Sequence, residues 1–527
     1  MKPFRRRTRM KARYSAVTEL DHPELEANDT IKADLEQNET VFKRLFQNCS
    51  DVEYREIRTA GRLQWLIVYI SSLINEEVVD NHIVKHLIAK CSEADHADLR
   101  SAETLNDQMI SAGSTKMTVN LKEIVSKVLS GYAAVLTRAD DRAVLVKAAG
   151  TKQRSLEEPS SEPVIHGPRD GFIENISTNM GLLRNRLRTP RLKMESFTIG
   201  ELSQTAVIIS YIAGIAAESL VEEVRKRVTR IQIDGILDSG YVEEFIEDLP
   251  YSPFPQVHST ERPDVVAAEL LEGRIAILVD NTPFVLIVPM TFWTGLQASE
   301  DYYTRWPIAT FVRWIRFLFI FIAVFAPPLY VAVTTFHQEM IPTNLVISIA
   351  SAREAVPFPA LVEALLMEIT FEALREAGIR LPKQIGQAVS IVGALVIGQS
   401  AVMAGIISAP VVIIVSITGI AAFTIPRYSF ANGIRLLRFP MLFLAGMFGL
   451  YGIVLGFLGI LLHVASLRSF GEPYFKPIPL SFTSLKDTFI RAPIWAKTNR
   501  PILGGTDNPY REPRGQKPGP SRGEQSS

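Results

Sequence analysis

Between Phe317 and Val464 the chain carries four stretches too apolar for an ordinary water-soluble fold. The first, Phe317 to Phe336, covers ~30 Å at ~1.5 Å per residue, the hydrocarbon thickness of a bilayer. Pro327 and Pro328 lie in its middle, so a kink is expected, with neighbouring helices satisfying the freed carbonyls. The second runs from Ile385 to Ser408 and the fourth from Met441 to Val464. The third, Val411 to Ile425, is bracketed by Pro410 and Pro426 and spans only ~22 Å as a helix. This pattern predicts a multi-pass α-helical membrane protein with about four to five transmembrane helices.

Small residues repeat along two of these stretches. In the last, Ala445, Gly449, Gly452, Gly456 and Gly459 recur at steps of four and three; in the second, Gly386, Ser390, Ala394, Gly398, Ala401 and Gly405 do the same. Lipid supplies no hydrophobic drive between helices, so close backbone approach must supply the attraction, and both stripes read as helix-packing faces. The second stretch is also the most polar, with Gln384, Gln387, Ser390, Gln399 and Ser400. An amide in lipid costs several kcal/mol unless paired or wetted. Interhelical hydrogen bonding is the plain reading. The sharper one makes this helix the wall of a water-filled path, with Gln387, Ser390 and Gln399 as polar levels and Val392 and Val396 narrowing it.

Phe358 to Gly378 reads as an amphipathic helix at the membrane interface, entered by Pro359 and ended by Gly378. Glu368, Glu372 and Glu376 step by four along one face, either as a solvated acidic ridge or as a cation-attracting ring in an oligomer. Arg305, Arg313 and Arg316 precede the first stretch, whereas His337 to Ser351 holds no Lys or Arg. The positive-inside rule then places the N-terminal region in the cytoplasm. Arg468, Lys476, Lys486, Arg491, Lys497 and Arg500 favour a cytoplasmic C-terminus, but Arg427, Arg435 and Arg438 pull the other way.

Charge and cysteine usage exclude more than they assign. Lys2, Arg5, Arg6, Arg7, Arg9, Lys11 and Arg13 form a basic run without an acid. No apolar core follows it, so it is not expected to be a signal peptide. It reads as a solvated tail or as a contact with anionic lipid. Cys49 and Cys91 give no disulfide framework and no zinc spacing. No phosphate loop, zinc-protease helix or nucleophile elbow occurs, so no enzyme, metal, cofactor or nucleic-acid partner is expected.

Ahead of the membrane stretches the pattern is mixed α and β, in two subdomains. A basic disordered tail, 1–35, precedes a first α/β subdomain at 36–150. There a helix is expected at Lys32 to Gln47, a buried strand at Leu63 to Ile70, a helix at Glu76 to Ile88 and a hairpin at Tyr132 to Ala148. A Ser-, Pro- and Glu-rich linker covers 151–163. The second α/β subdomain, 164–304, has strands from Lys193 and Thr205, a charged helix from Glu218 and a hairpin at Arg274 to Pro289 turning near Asp280-Asn281. The transmembrane domain is set at 305–468, and the tail, 469–527, is expected to be disordered from about residue 500.

Four ordered blocks resemble the GerA-type spore germination receptors, A subunit. They are HGPRDGFIENISTNMGLLRNRLR from His166, RIQIDGILDSGYVEEFIED from Arg230, PFPQVHSTERPDVVAAELLEGRIAILVDNTPFVLIVP from Pro253, and SAREAVPFPALVEALLMEITFEALREAG with its continuation from Ser351. The motif residues are Gly167, Pro168, Arg169, Gly171 and Phe172, with Arg262, Pro263 and Asp264; a turn with a positioned guanidinium is the structural reading of Gly167 to Arg169, and a turn with a local Arg–Asp pair that of Arg262 to Asp264. His166 stands where many family members have Arg. The resemblance implies a protein of the spore inner membrane acting in nutrient-triggered germination. It further implies partnership with a transporter-like B subunit and a lipoprotein C subunit, and a homo-oligomeric ring that conducts monovalent cations. Two other readings stand beside it: an accessory protein like stage V sporulation protein AF of the dipicolinate transport complex, which shares these blocks, and a non-conducting receptor scaffold.

Overall fold

The computed structural model describes residues 29–59, 62–91, 102–109, 114–138, 140–150, 158–159, 161–380, 396–475, 486–500, 508–512 and 516–518. They fall into two compact units. One takes in Met1–Glu247, Val257–Pro289 and Pro493–Ser527; the other takes in Asp248–Gln256 and Met290–Ala492.

The first unit holds two five-stranded sheets of the same topology. In the first, β1 (Val52–Thr59), β2 (Arg62–Ile70), β3 (Thr115–Thr118), β4 (Tyr132–Thr137) and β5 (Ala143–Lys147) lie in the order β1-β2-β4-β5-β3. In the second, β6 (Leu192–Ile199), β7 (Thr205–Ile212), β8 (His258–Thr260), β9 (Ile275–Val279) and β10 (Val285–Val288) lie in the order β6-β7-β9-β10-β8. Every neighbouring pair is antiparallel, and in both sheets the third strand in sequence pairs at the far edge. A helix precedes the fourth strand in each: α2 (Leu121–Val128) and, in the second half, Pro263–Leu271.

The apolar run of β2 follows from burial on both faces. Leu66, Val68 and Ile70 pack with Phe42 and Leu45 of α1 (Leu35–Leu45) and with Ile124 and Val128 of α2. Trp65, Ile67 and Tyr69 pack on the opposite side with Val79, Ile83, Leu87 and Leu105. In the second sheet Met194, Ile208, Leu278 and Ile287 face Leu183 of α3 (Ile176–Arg186) and Val266 and Leu270 of the later helix. α4 (Glu218–Thr229) and α5 (Ser239–Ile246) follow β7, and α6 (Pro263–Leu271) follows β8. The C-terminal segment returns to this unit: the Arg500 guanidinium donates to the carbonyls of Leu271, Asn508 and Tyr510.

The second unit is helical: α7 (Trp306–Phe336), α8 (Thr343–Arg353), α9 (Ala360–Arg380), α10 (Ala409–Phe423) and α11 (Tyr428–Ser466). It corrects the expectation of four to five transmembrane helices. Among the described residues two helices are long and apolar enough to cross a bilayer, α7 and α11, with mean hydropathies of 2.3 and 2.2. The stretch Val411 to Ile425 becomes α10, whose 15 residues reach only ~22 Å. Of the stretch Ile385 to Ser408, residues 385–395 lie outside the described residues; 396–403 are helical, and Gly405 at φ +65° ends that turn. Apolar runs were legible from hydropathy, whereas the breaks at Gly405 and Pro410 decide where a helix stops.

α11 itself is not straight. Gly449 sits at φ 61° and ψ −139° between two helical arms. Phe254 lies 6.0 Å from the ring of Phe430 and 6.1 Å from that of His463, positions that a continuous helix would separate by ~50 Å. A side chain at Gly452 would strike the Leu444 carbonyl, and one at Gly456 would strike Met441. The arms before and after Gly449 therefore fold back on each other.

Candidate functional site in the membrane unit

Ionisable side chains inside a membrane-spanning unit are costly, and they mark where a site is built. Among the described residues three such groups stand out, each tied to a backbone feature that the sequence dictates.

The first forms around the proline pair of α7. Pro327 has no N–H, which leaves the carbonyl of Ala323, four residues back, without its helical donor. Arg438 of α11 supplies one: its Nε donates to the Ala323 oxygen at 2.8 Å. The same guanidinium donates from Nη1 to the Glu368 carboxylate of α9, and the two side chains are 4% and 3% exposed. One arginine thus joins three helices, α7, α9 and α11. Glu368 is therefore no part of a solvated face, and Arg438, which entered the orientation argument as a charge before the last stretch, is buried and paired. The rest of the ridge behaves differently: Glu372 pairs with Arg375 at 3.2 Å and Glu376 with Arg380 at 2.6 Å, both carboxylates substantially exposed.

The second group centres on Glu363, which is fully buried. Its Oε1 accepts from Arg353 Nε at 3.1 Å, and its Oε2 accepts from the Ser408 backbone N–H at 2.9 Å and hydroxyl at 2.6 Å. Ser408 stands at the N-cap of α10 without capping it through its own side chain. Glu363 fills that place, setting a carboxylate against the positive end of the helix. Residue spacing singled out Glu368, Glu372 and Glu376 and missed Glu363; the Ser408-Ala409-Pro410 helix start, which needs an acceptor, was the signal that could have found it.

The third group ties down the start of α7. Asp301 accepts from Arg313 Nε at 2.9 Å and from Arg316 Nη1 at 3.1 Å. Arg313 also donates to Asp487, and Arg491 Nε donates to the Asp301 carbonyl at 3.1 Å. The Tyr302 ring lies between Arg313 and Arg491, 5.6 and 5.7 Å from their guanidinium carbons. Arg313 and Arg316, which entered the positive-inside reading as flanking charges, are buried and paired.

The remaining singled-out residues are distributed widely. Gln387, Ser390, Val392 and Ala394 lie outside the described residues. Val396 and Gln399 are exposed on the helical residues 396–403. A Cβ on Gly398 would make ordinary contact with Val412 at 3.5 Å, and one on Gly405 would lie 3.1 Å from the Ala355 carbonyl. Gly449 is the bend of α11, and Gly452 and Gly456 face the other arm of that same bend.

In the first unit the motif residues meet. Arg262, fully buried, donates to Asp264 at 3.1 and 2.9 Å, to the Pro168 carbonyl at 3.0 Å and to the Glu162 carbonyl at 3.3 Å. The Phe172 N–H donates to the Glu261 carbonyl at 2.8 Å. Pro263 opens α6 at its first position. Arg262 therefore fixes the loop through Gly167, Pro168 and Gly171, on which Arg169 is exposed. Among the described residues, no three His, Cys, Asp or Glu side chains are grouped to hold a metal ion.

Comparison with known proteins adds the following. The family model described as Bacillus/Clostridium GerA spore germination protein matches residues 40–503. The chain is 47% identical over 481 residues to the uncharacterized membrane protein YfkQ of Bacillus subtilis, covering 91% of this chain and 93% of the relative. It is 42% identical over 494 residues to spore germination protein KA of the same organism, covering 93% and 90%. Among solved structures, the N-terminal domain of the A subunit of the Bacillus megaterium spore germinant receptor GerK3 is 35% identical, at a TM-score of 0.39, over 50% of this chain and 98% of that one.

Proposed function

The chain belongs to the GerA family of spore germination proteins, and from that premise we propose that it is the A subunit of a nutrient germinant receptor whose membrane unit, as a homo-oligomer, passes monovalent cations when triggered. It is not an enzyme, the family being non-catalytic. The reading places it in the spore inner membrane, crossing it more than once, beside a transporter-like B subunit and a lipoprotein C subunit.

The observation that carries the conducting role is the Arg438–Glu368 pair seated on the broken turn of α7. A scaffold held by lipid contact alone needs no ion pair joining three helices; burying one costs several kcal/mol per ion before pairing. The polar levels Gln387, Ser390 and Gln399, with Val392 and Val396 between them, belong to this reading as the wall of the path. Ala394, Gly398 and Gly405 belong to it as the closely packed side.

The soluble unit is assigned to the cytoplasm. We assign the C-terminal segment to the same side, and the contacts of Arg500 and Arg511 with the end of α6, at Leu271 and Glu272, support this. In a chain with Cys49 and Cys91 replaced, a cysteine at Leu202 or Thr498 is protected from an impermeant thiol reagent in intact cells, whereas one at Met340 is labelled.

The test of function is cation release from vesicles holding the purified protein. Potassium flux that depends on oligomer formation supports the receptor reading. Assembled protein with no flux, alone or with B and C subunits and germinant, leaves the scaffold.

A further inference from the structure

One exposed face of the soluble unit is both apolar and acidic. Leu237, Tyr241 and Phe245 follow one another at steps of four along α5 and its approach, and are 70%, 40% and 43% exposed. Leu202, 85% exposed, lies on an adjoining loop, its backbone N–H held by the Asp234 carbonyl at 2.7 Å. Three of the four large apolar side chains thus form one stripe, and a stripe of this kind on a water-facing helix requires a partner.

The charge around it is of one sign. Residues 231–247 contain Asp234, Asp238, Glu244 and Glu247, besides the half-buried Glu243, and no Lys or Arg, and Glu201 adds a further acid beside Leu202. In the neighbouring helix α4, Arg227 is engaged by Glu223 at 2.7 Å and by the Ile246 carbonyl. An anionic lipid surface would be repelled. A segment that combines several cations with apolar side chains fits.

The chain supplies such a segment. Its first 13 residues hold Lys2, Arg5, Arg6, Arg7, Arg9, Lys11 and Arg13, no acid, and the apolar Phe4 and Met10. Residues 14–28 join it to Asp29, whose carbonyl accepts from the Leu121 N–H of the same unit. Fifteen residues reach up to ~50 Å when extended, and a tether of that length holds a segment at about millimolar effective concentration.

We propose that the acidic stripe Leu237–Tyr241–Phe245 is the docking surface for the chain's own basic N-terminal segment, Lys2 to Arg13. This goes beyond the receptor reading and does not depend on it, since both parts belong to the soluble unit.

The experiment uses a fluorescent peptide of residues 1–14 with the purified full chain in detergent, and with the chain lacking residues 2–13. The peptide binds the shortened chain at least tenfold more tightly than the intact chain, whose own segment occupies the surface. Asp234→Lys with Glu244→Lys, or Tyr241→Ser with Phe245→Ser, weakens that binding at least fivefold. Raising salt from about 50 to 300 mM weakens it as well, as screening requires. All four side chains are exposed, so far-UV circular dichroism and the melting temperature stay those of the parent. Equal affinity for intact and shortened chains overturns the proposal. So does indifference to both double substitutions, or peptide binding by phosphatidylglycerol vesicles and not by the protein.

Discussion

Arg184 and Asp51 form a two-pronged ion pair with neither side chain exposed: Nε to Oδ2 is 2.7 Å and Nη2 to Oδ1 is 2.8 Å. Arg184 belongs to α3, beside the second sheet, and Asp51 immediately precedes β1 of the first. The same seam carries backbone bonds between Ser50 and Met194 and between Met194 and Asn48, each 2.9 Å. Burial works against the charge of Arg184, but Asp51 outweighs it and the guanidinium is held more firmly protonated than usual. Burial also pushes the neighbouring Cys49 thiol up. Asp51→Asn leaves a buried guanidinium without its counter-ion and is expected to cost about 3–5 kcal/mol. Replacing both residues by Leu costs less than Asp51→Asn. Thermal unfolding of the full chain in detergent measures the difference; a double variant less stable than the single would refute this account.

Glu243 gives the first unit a pH dependence of predictable sign. Burial, then the charges of Glu247, Asp238 and Glu244, raise its carboxyl to about 7. In the unfolded chain it titrates near the ordinary carboxylate value, so between these two values the folded state holds the extra proton. Stability from this group is present at acid pH and is lost as pH rises through about 7. Glu243→Gln removes that loss. The melting temperature of the variant relative to the parent therefore rises between pH 5 and pH 8, by about 2–4 °C per kcal/mol recovered. A difference that does not change with pH would show that Glu243 titrates normally.

The elements that could be read from the chain were those whose apolar pattern is decided locally. Leu63 to Ile70 was legible as a buried strand because both its faces are covered, and the Tyr132 to Ala148 hairpin because Asp140-Asp141 interrupts two apolar runs. β1 was not, since Glu53, Arg55, Glu56 and Arg58 give it the composition of a surface segment; it is a sheet edge. β8 is only three residues long. The common strand order of the two sheets is a relation between pairings, which no single segment carries. In the membrane unit the acidic spacing found Glu368 but assigned it to water. Its burial depends on Arg438, 70 residues away, and on a carbonyl freed by Pro327, and neither is expressed in the hydropathy of α9.

The bend in α11 makes glycine positions unequal. Gly449 has φ 61°, which L side chains rarely adopt, and a Cβ there would come within 2.9 Å of His337. Gly449→Ala is expected to cost about 1–3 kcal/mol from the backbone alone. Gly452→Leu and Gly456→Leu drive the two arms apart and lower the folded yield more strongly. Gly459→Leu, with nothing within 4 Å of its Cβ position, stays near the parent. Size-exclusion profiles in detergent separate these cases. Equal loss at Gly459 and Gly456 would mean that both face the same neighbour, contrary to the folded-back arrangement.

Arg438 connects stability to conduction, and its variants separate the two. Arg438→Leu leaves the Glu368 carboxylate buried without its counter-ion and the Ala323 carbonyl without a donor. Such a loss is expected to destabilise the unit by about 3–5 kcal/mol. Arg438→Leu with Glu368→Leu removes both charges and is expected to recover most of the folded yield, though the Ala323 carbonyl still lacks its donor. Arg438→Lys keeps the charge, but a single ammonium in place of a forked guanidinium serves the carboxylate and the carbonyl together less well. If the pair couples the α7 kink to cation passage, the double Leu variant assembles normally yet alters potassium release from reconstituted vesicles, as unregulated leak or as loss of flux. Arg438→Lys falls between it and the parent. Normal assembly and parental flux in the double variant would reduce the pair to a packing device and leave the α7 kink without a part in conduction.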